Sequence, residues 1–197
     1  MQRFPMRSEA KFFSIYGNQF RLWYNGLVFW CINSQIKRTK RQTGIFEGIA
    51  MIRKATIQDS SRIAEILIFT KRVNYRSIFH DDKVSFGEMQ VYPLAKQYMD
   101  DPSKLANIWV YDDEFVKGMI HIENQRIAEL YVDSFFENNG IGKELIEFAV
   151  QEKECNCVWV LEKNHDAIRF YERHGFKRTG KKELQPGTSE YIIEMVR

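Results

Sequence analysis

The chain has 197 residues, 44% of them apolar and 28% charged, which fits one domain with a buried core and a water-facing surface. Its net charge of +3 at pH 7 is uneven: residues 1–50 carry eight Lys/Arg and two Asp/Glu, whereas residues 51–197 carry 21 and 24. The larger part of the chain is therefore mildly acidic, and its charge gives no reason to expect nucleic-acid binding. Three cysteines, Cys31, Cys155 and Cys157, are too few for a disulfide framework and predict a reducing cytoplasm.

The first fifty residues contain the most hydrophobic stretch of the chain, residues 22–32. It is too short to cross a bilayer and no small-residue cleavage site follows it, so we expect no membrane partner. A membrane-surface anchor and a basic nucleic-acid arm are the alternatives for this segment. Glu47-Gly48 can be encoded by a bacterial ribosome-binding sequence upstream of Met51. We therefore expect residues 1–50 to be an N-terminal extension, an untranslated leader read as protein, and residues 51–197 to be the working domain. N-terminal sequencing of the natively expressed protein tests this.

The working domain is predicted to begin with a strand and two helices. Residues 51–55 form the strand, and Thr56 or Asp59 caps a helix whose apolar side chains recur every three to four residues. A second helix covers residues 86–99, where Pro93 marks a break or a weak point.

A meander of three antiparallel strands comes next, with Asp112-Asp113 as the turn between the first two. Its strands cover residues 107–111, 115–123 and 126–132. An amphipathic helix, a continuous apolar strand and another helix follow, and two strands end the chain. These elements cover residues 142–153, 157–161, 166–173, 176–178 and 190–196. The predicted order, β-α-α-β-β-β-α-β-α-β-β, describes one mixed α/β sheet.

Two glycines stand where the third meander strand passes into a helix. Residues 137–142, Glu-Asn-Asn-Gly-Ile-Gly, lead directly into that helix. First-turn N–H groups lack internal partners and lie at the positive end of the helix dipole, and glycines let a bound group approach the backbone closely. The loop therefore predicts a pyrophosphate site. It lacks the Gly-Lys-Ser/Thr of a P-loop and, at Asp133, the first glycine of the dinucleotide fingerprint. An ordinary strand-to-helix turn is the alternative.

A second motif covers residues 164–176, Asn-His-Asp-Ala-Ile-Arg-Phe-Tyr-Glu-Arg-His-Gly-Phe. Asn164 follows the apolar strand and can cap the next helix. Tyr171 lies two turns further along roughly the same face, and the small side chain of Ala167 between them leaves room for a ligand chain. A plain cap and a core-facing tyrosine are the alternative.

Together, the two motifs resemble those of the GNAT superfamily of N-acetyltransferases. The family's Gln/Arg-x-x-Gly-x-Gly/Ala loop matches residues 137–142, with Glu137 departing from the pattern at the first position. The family's Asn-x-x-Ala-x-x-Phe-Tyr-x-x-x-Gly-Phe segment matches residues 164–176 throughout. Residues 129–133 look like the family's fourth strand, with Ser134 where proline is usual. The resemblance covers residues 51–197 and implies a mostly antiparallel mixed sheet, splayed between its fourth and fifth strands, with helices on both faces.

The resemblance also implies acetyl-CoA as co-substrate and a primary amine, in a small molecule or a protein, as acceptor. The pantetheine arm would insert between the fourth and fifth strands and pair with the backbone of Leu130 and Val132, while the pyrophosphate would rest on the glycine loop. The residues implied to contact acetyl-CoA are Leu130, Tyr131, Val132, Glu137, Asn138, Asn139, Gly140, Ile141, Gly142, Lys143, Asn164, Ala167 and Tyr171.

By the same resemblance, Tyr171 is the general acid whose phenol protonates the departing CoA thiolate. Glu129 is the first candidate for the base that deprotonates the amine, directly or through water, and Glu123 and His121 are weaker choices. A solvated carboxylate or a salt bridge is the alternative role for Glu129.

The acceptor is less well defined by the sequence. Tyr75, Phe79 and His80 lie where this family forms its acceptor site, or they pack the first two helices together. A ribosomal-protein N-terminus, a polyamine, an amino-sugar antibiotic and a small metabolite are all open as acceptors. Dimers are common among GNAT proteins, so the resemblance allows a homodimer. A non-catalytic acyl-CoA-binding module with a sensory or regulatory role is the alternative function. Thiol release with a panel of amines separates it from an enzyme.

No metal is expected at the site. Cys155 and Cys157, with His165 and His174, are the grouping that suggests zinc. However, no second close ligand pair of the usual spacing accompanies them.

Overall fold

The structure, a computed structural model, describes residues 51–197, and the predictions for residues 1–50 concern sequence outside that range. Seven strands form one sheet in the order β1-β2-β3-β4-β5-β7-β6. Their bounds are β1 Met51–Lys54, β2 Ile108–Asp113, β3 Phe115–Glu123, β4 Arg126–Val132, β5 Cys157–Leu161, β6 Lys177–Leu184 and β7 Tyr191–Val196. All neighbouring pairs are antiparallel except β4 with β5, which run parallel. This confirms the predicted mixed, mostly antiparallel sheet.

Within residues 51–197, four α-helices cover the two faces of the sheet, as the sequence predicts. They are α1 Ser60–Phe79, α2 Val91–Asp100, α3 Ile141–Gln151 and α4 His165–Arg173. Neighbouring side chains of a strand point to opposite faces, so Met119 and Ile120 of β3 enter different cores. Met119 packs with Ile63 of α1, whereas Ile120 packs with Leu145 of α3, and all four are fully buried. None of the helices in the described part of the chain combines the length and the apolar character needed to cross a membrane.

The sheet opens between β4 and β5. Only Arg126–Cys157 and Ile127–Val158 face each other across this parallel pair, and the pairing stops there. On the other side of β4, Ile127 pairs with Ile122 and Glu129 pairs with His121, which leaves Ala128 as an extra residue. Such a bulge bends its strand and increases its twist, so β4 turns away from β5 beyond this point. The predicted splay between the fourth and fifth strands is confirmed.

Asp59 ties the start of α1 to the edge of the sheet. Its carboxylate accepts two hydrogen bonds from the Arg53 guanidinium, at 2.8 and 2.9 Å, and a third from the Thr56 N–H at 2.8 Å. Arg53 also reaches Asp112 of β2. These contacts, led by the hydrogen bonds from Arg53, lower the pKa of Asp59.

Asp59→Asn is expected to destabilise the domain at neutral pH by about 1–3 kcal/mol, the usual cost of a buried polar group that loses its partner. The lowered pKa means that the folded state favours the carboxylate more than the unfolded chain does, whose pKa is about 3.9. This stabilisation is present above the unfolded pKa and is lost as the pH falls through the folded one. Urea unfolding of both proteins, from pH 7 down to the onset of acid unfolding, should show the difference shrinking. A difference that stays constant with pH would contradict the assignment.

Three local predictions in the first half of the domain are wrong in detail, and the strand predicted over residues 176–178 extends from Lys177 to Leu184 as β6. The strand β2 continues through Asp113, and Glu114, with φ +67°, makes the turn instead of Asp112-Asp113. The helix predicted over residues 86–99 is divided into a wide helical turn at Lys83–Glu88 and α2, because Gln90 is extended. Pro93 lies in the first turn of α2, where no N–H is needed, and therefore does not break it.

Candidate active site

A cavity of about 1130 Å³ occupies the gap between β4 and β5. Leu130 and Val132 line it from β4, and Val158 and Val160 line it from β5. Side chains of α1 and α4 complete its walls, so the cavity is bounded from both faces of the sheet.

The backbone of β4 faces this cavity with alternate residues. The Asp133 N–H donates to the Lys117 carbonyl at 2.9 Å, so Asp133 bonds towards β3. Backbone groups of a strand alternate in direction, which turns those of Leu130 and Val132 towards the gap. The Val132 carbonyl accepts a long hydrogen bond of 3.4 Å from the Thr70 hydroxyl. The structure thus places an open strand edge where the sequence predicts that the arm would pair.

The glycine loop ends in a helix start that no side chain caps. Asn138 has φ +61° and Gly140 has φ +88°, and α3 begins at Ile141. The first bond into the helix runs from the Glu144 N–H to the Gly140 carbonyl at 3.0 Å. The N–H groups of residues 141–143 therefore lack partners within the helix. The Asn139 amide donates to the carbonyls of residues 136 and 137, at 3.2 Å each, which fixes the loop.

The two loop glycines have different structural requirements. A Cβ on Gly140 would meet nothing within 4 Å, so its positive φ is what demands glycine. A Cβ on Gly142 would lie 3.3 Å from Cε2 of Phe170, so this glycine lets α3 pack closely on α4. Gly140 thus faces open space, whereas Gly142 is a packing residue.

Charged side chains surround the mouth of the cavity near the loop. The Glu137 side chain is largely exposed, yet some loss of hydration, together with the nearby Asp133 and Asp166, raises the pKa of its carboxyl group. Lys143, Arg169 and Arg173 line the same cavity. Glu137, the one residue of the loop that departs from the family pattern, thus adds a carboxylate to a cavity that these basic side chains also line.

The helix α4 contributes Ala167 and Tyr171 to the cavity wall, and Asn164, which precedes the helix, also lines it. The Asn164 side-chain oxygen accepts from the Ala167 N–H at 3.1 Å, so Asn164 caps the helix as the sequence predicts. Tyr171 is 7% exposed, and burial, with a smaller contribution from Tyr75, raises its pKa well above 10. The phenol therefore keeps its proton throughout the physiological pH range.

Two further tyrosines meet on the α1 side of the cavity. The hydroxyls of Tyr75 and Tyr131 are 3.0 Å apart, and burial raises the pKa of both groups. Tyr171 also contributes to the raised pKa of Tyr131, so the three phenols share one region. The resemblance names Tyr131 among the residues implied to contact acetyl-CoA but does not indicate this hydroxyl pair. Its side-chain contact was missed because it joins residues 56 positions apart.

Glu129 is held in an ion pair with a lysine that the sequence did not indicate. The Lys71 Nζ lies 2.8 Å from Oε1 of Glu129, and the His121 Nδ1 lies 3.9 Å from Oε2. The salt bridge, one of the alternatives for Glu129, is thus present in the structure. Lys71 lies on α1 and lines the same cavity, but no local pattern links it to β4.

A second cavity, of about 670 Å³, lies on the α2 side of the sheet. His121, Glu123 and Glu129 line it, so all three candidate bases face this space. The two cavities share five lining residues, Ala128, Glu129, Trp159, Gln185 and Ile192. Glu129 therefore stands where the two spaces meet.

The predicted acceptor residues do not all reach the site. Tyr75 and Phe79 line the larger cavity, with their ring centroids 5.7 Å apart in an edge-to-face arrangement. His80 is exposed at the end of α1 with φ +52°, outside the lining of both cavities. Among residues 51–197, no three His, Cys, Asp or Glu side chains come together in a group that could hold a metal ion.

Comparison with known proteins agrees with this geometry. The family profile "Acetyltransferase (GNAT) domain" matches residues 104–178. The peptidyl-lysine N-acetyltransferase YjaB of Escherichia coli K12 is 31% identical over 107 residues, which cover 53% of this chain and 70% of that protein. YjaB of Salmonella typhimurium LT2 is 32% identical over 81 residues, 40% of this chain and little more than half, 56%, of the relative.

Solved structures show the same fold. The solution structure of apo-form YjaB from Escherichia coli superposes with a TM-score of 0.63 at 20% identity, covering 75% of this chain and 97% of that one. The N-acetyltransferase PaiA from Thermoplasma acidophilum, in complex with coenzyme A, gives a TM-score of 0.56 at 19% identity, covering 75% and 99%. The splayed sheet thus has the architecture of the N-acetyltransferases. The chain belongs to the GNAT acetyltransferase family, whose members are acetyl-CoA-dependent acyltransferases.

Proposed function

We propose that this protein is an N-acetyltransferase that moves the acetyl group of acetyl-CoA to the side-chain amine of a protein lysine. The observation that carries the proposal is the gap between β4 and β5. An open strand edge, an uncapped helix start and a buried phenol converge on it. Family membership supports the reaction class, and the name of the relative YjaB supports lysine as acceptor.

Acetyl-CoA would lie along the gap with its two ends held differently. The pantetheine arm would pair with the open edge at Leu130 and Val132, as an added strand would. The pyrophosphate would accept hydrogen bonds from the backbone of residues 138–143, where free N–H groups and the helix dipole favour an anion. Asn164 and Ala167, which line the cavity beside β5, would contact the arm between these ends.

The transfer would proceed by direct attack of the amine nitrogen on the thioester carbon. A backbone N–H of the open edge would stabilise the negative charge that develops on the carbonyl oxygen. The C–S bond then breaks, and Tyr171 would donate its proton to the CoA sulfur. The raised pKa of Tyr171 makes the phenol a weaker acid. The same buried surroundings also raise the proton affinity of the CoA thiolate.

The acceptor would reach the reaction centre through the second cavity. A lysine amine with a pKa of about 10.4 is neutral in only about one molecule in a thousand at pH 7, so it needs a base. Glu129, which lines both cavities, would take that proton directly or through water. His121 and Glu123, which line only the second cavity, would be less direct routes. The net acidic charge of residues 51–197 favours cationic acceptors.

Release of the CoA thiol in the presence of lysine-containing peptides tests this function. The expected result is turnover with a peptide that has a free lysine amine and a blocked N-terminus, and none when that amine is acetylated. Calorimetry should show acetyl-CoA binding in parallel. Binding without turnover on lysine peptides or on a wider panel of amines would favour the non-catalytic acyl-CoA module instead. The free thiols of Cys155 and Cys157 are compatible with the proposed cytoplasmic setting.

A further inference from the structure

Lys71 places a primary amine of this chain beside the proposed base. Its Nζ lies 2.8 Å from Oε1 of Glu129 and 5.8 Å from the centre of the Tyr131 ring. The Lys71 side chain is 25% exposed, and the residue lines the cavity proposed to bind acetyl-CoA. The acceptor amine of the proposed reaction would need this same contact with Glu129. Lys71 therefore has the same primary amine, in the same contact with Glu129, as the proposed acceptor lysine.

Stability alone does not account well for this pair. A half-buried ion pair contributes little, because the lost hydration of both charges offsets much of their attraction. Lys96 with Asp100 is a more exposed charged pair, and the similarly buried pair of Arg62 with Asp133 lines neither cavity. The pair of Lys71 with Glu129 instead stands at the junction of two cavities, next to the open edge of β4.

We propose that Lys71 is a self-acetylation site, modified by the acetyl-CoA bound in the same molecule. This inference rests on the proposed function. In the step, the ammonium of Lys71 loses a proton to Glu129 and its nitrogen attacks the thioester carbon. The N–C bond forms, the C–S bond breaks, and the nitrogen loses its second proton. One proton reaches the CoA sulfur through Tyr171 and the other goes to water, giving Nε-acetyl-Lys71 and CoA thiol.

The modification would alter the site it occurs in. An acetylated Lys71 has no positive charge, so its ion pair with Glu129 would be lost. The acetyl group would also lie in the cavity beside the hydroxyls of Tyr75 and Tyr131. Exposure to acetyl-CoA would therefore remove the ion-pair partner of Glu129, the proposed base.

Mass spectrometry of the purified full-length chain incubated with ¹³C-labelled acetyl-CoA tests the proposal. Lys143 is the matched control, because it lines the same cavity and its side chain is 64% exposed, more open to non-enzymatic acetylation than Lys71. We expect label on Lys71 to appear at least about tenfold faster than on Lys143, because the reacting groups are held together. The rate should not depend on protein concentration. The labelling rate of Lys71 should fall in the Glu129→Gln variant. In the Lys71→Arg variant, the peptide that contains residue 71 should carry no label at that position.

The outcomes separate this inference from the function on which it rests. If lysine peptides are acetylated while Lys71 is labelled no faster than Lys143, the inference is wrong and the proposed function stands. A Lys71 rate that increases with protein concentration would also overturn it, because transfer would then occur between molecules. If calorimetry detects no acetyl-CoA binding, both fail together.

Discussion

Replacing Tyr171 with phenylalanine is expected to lower kcat for lysine-peptide acetylation by about 10²–10⁴, the usual contribution of a general acid–base group. The affinity for acetyl-CoA should change little, because the ring that lines the cavity is retained and only the hydroxyl is removed. Steady-state kinetics with saturating acetyl-CoA measures the first quantity and calorimetry the second. The pKa of Tyr171 is raised above 10, so the phenol stays protonated up to about pH 10. Loss of its proton should therefore not lower the rate at alkaline pH below 10.

Tyr191→Phe is the control for this substitution. Tyr191 is 44% exposed on β7, with the Lys182 ammonium over its ring, and it is absent from the lining of both cavities. The same loss of a phenolic hydroxyl there should leave kcat unchanged. Equal turnover of Tyr171→Phe and the native protein would remove Tyr171 from the mechanism.

Gly140→Val is expected to weaken acetyl-CoA binding by about tenfold or more, which corresponds to about 1.4 kcal/mol. The φ of +88° is costly for a β-branched residue, so the loop would change conformation and its N–H groups would no longer converge. A valine side chain would also project into the open space beside the helix start, where the pyrophosphate is proposed to lie. Calorimetric titration with acetyl-CoA gives the affinity directly.

Gly180→Val is the matched control for Gly140→Val. Gly180 has the same φ of +88°, and a Cβ there also meets nothing within 4 Å, but it lies on the edge strand β6. Both variants should be destabilised to a similar degree in urea unfolding, and only Gly140→Val should lose affinity. Normal affinity in Gly140→Val would refute the pyrophosphate assignment.

Local sequence patterns predicted the parts of the fold that depend on neighbours in the chain. The order of elements, the open loop before α3 and the Asn164 cap follow from spacing and residue type. The lower accuracy in β6 has a clear cause: all eight of its residues are exposed, so it lacks the alternation that marks a half-buried strand. The sequence therefore showed only the beginning of that strand.

The parts of the site that the sequence did not predict depend on contacts between distant segments. Lys71 meets Glu129 across 58 positions, and Tyr75 meets Tyr131 across 56. Such pairs arise only when α1 packs across β4, and no periodicity within either element specifies them. His80 shows that closeness in sequence does not ensure closeness in the site. It is near Tyr75 in the chain, but it follows the last residue of α1 and is exposed to solvent.

The opening between β4 and β5 also bears on how this protein avoids aggregation. Free strand edges recruit further strands, and a splayed sheet has two in its middle besides the two outer ones. The outer edge at β6 is protected by its basic residues and by an irregularity between Arg178 and Lys182. The inner edges are recessed between helices of both faces and converge where Ile127 pairs with Val158. The helices on both faces therefore limit the access of another polypeptide strand to these inner edges.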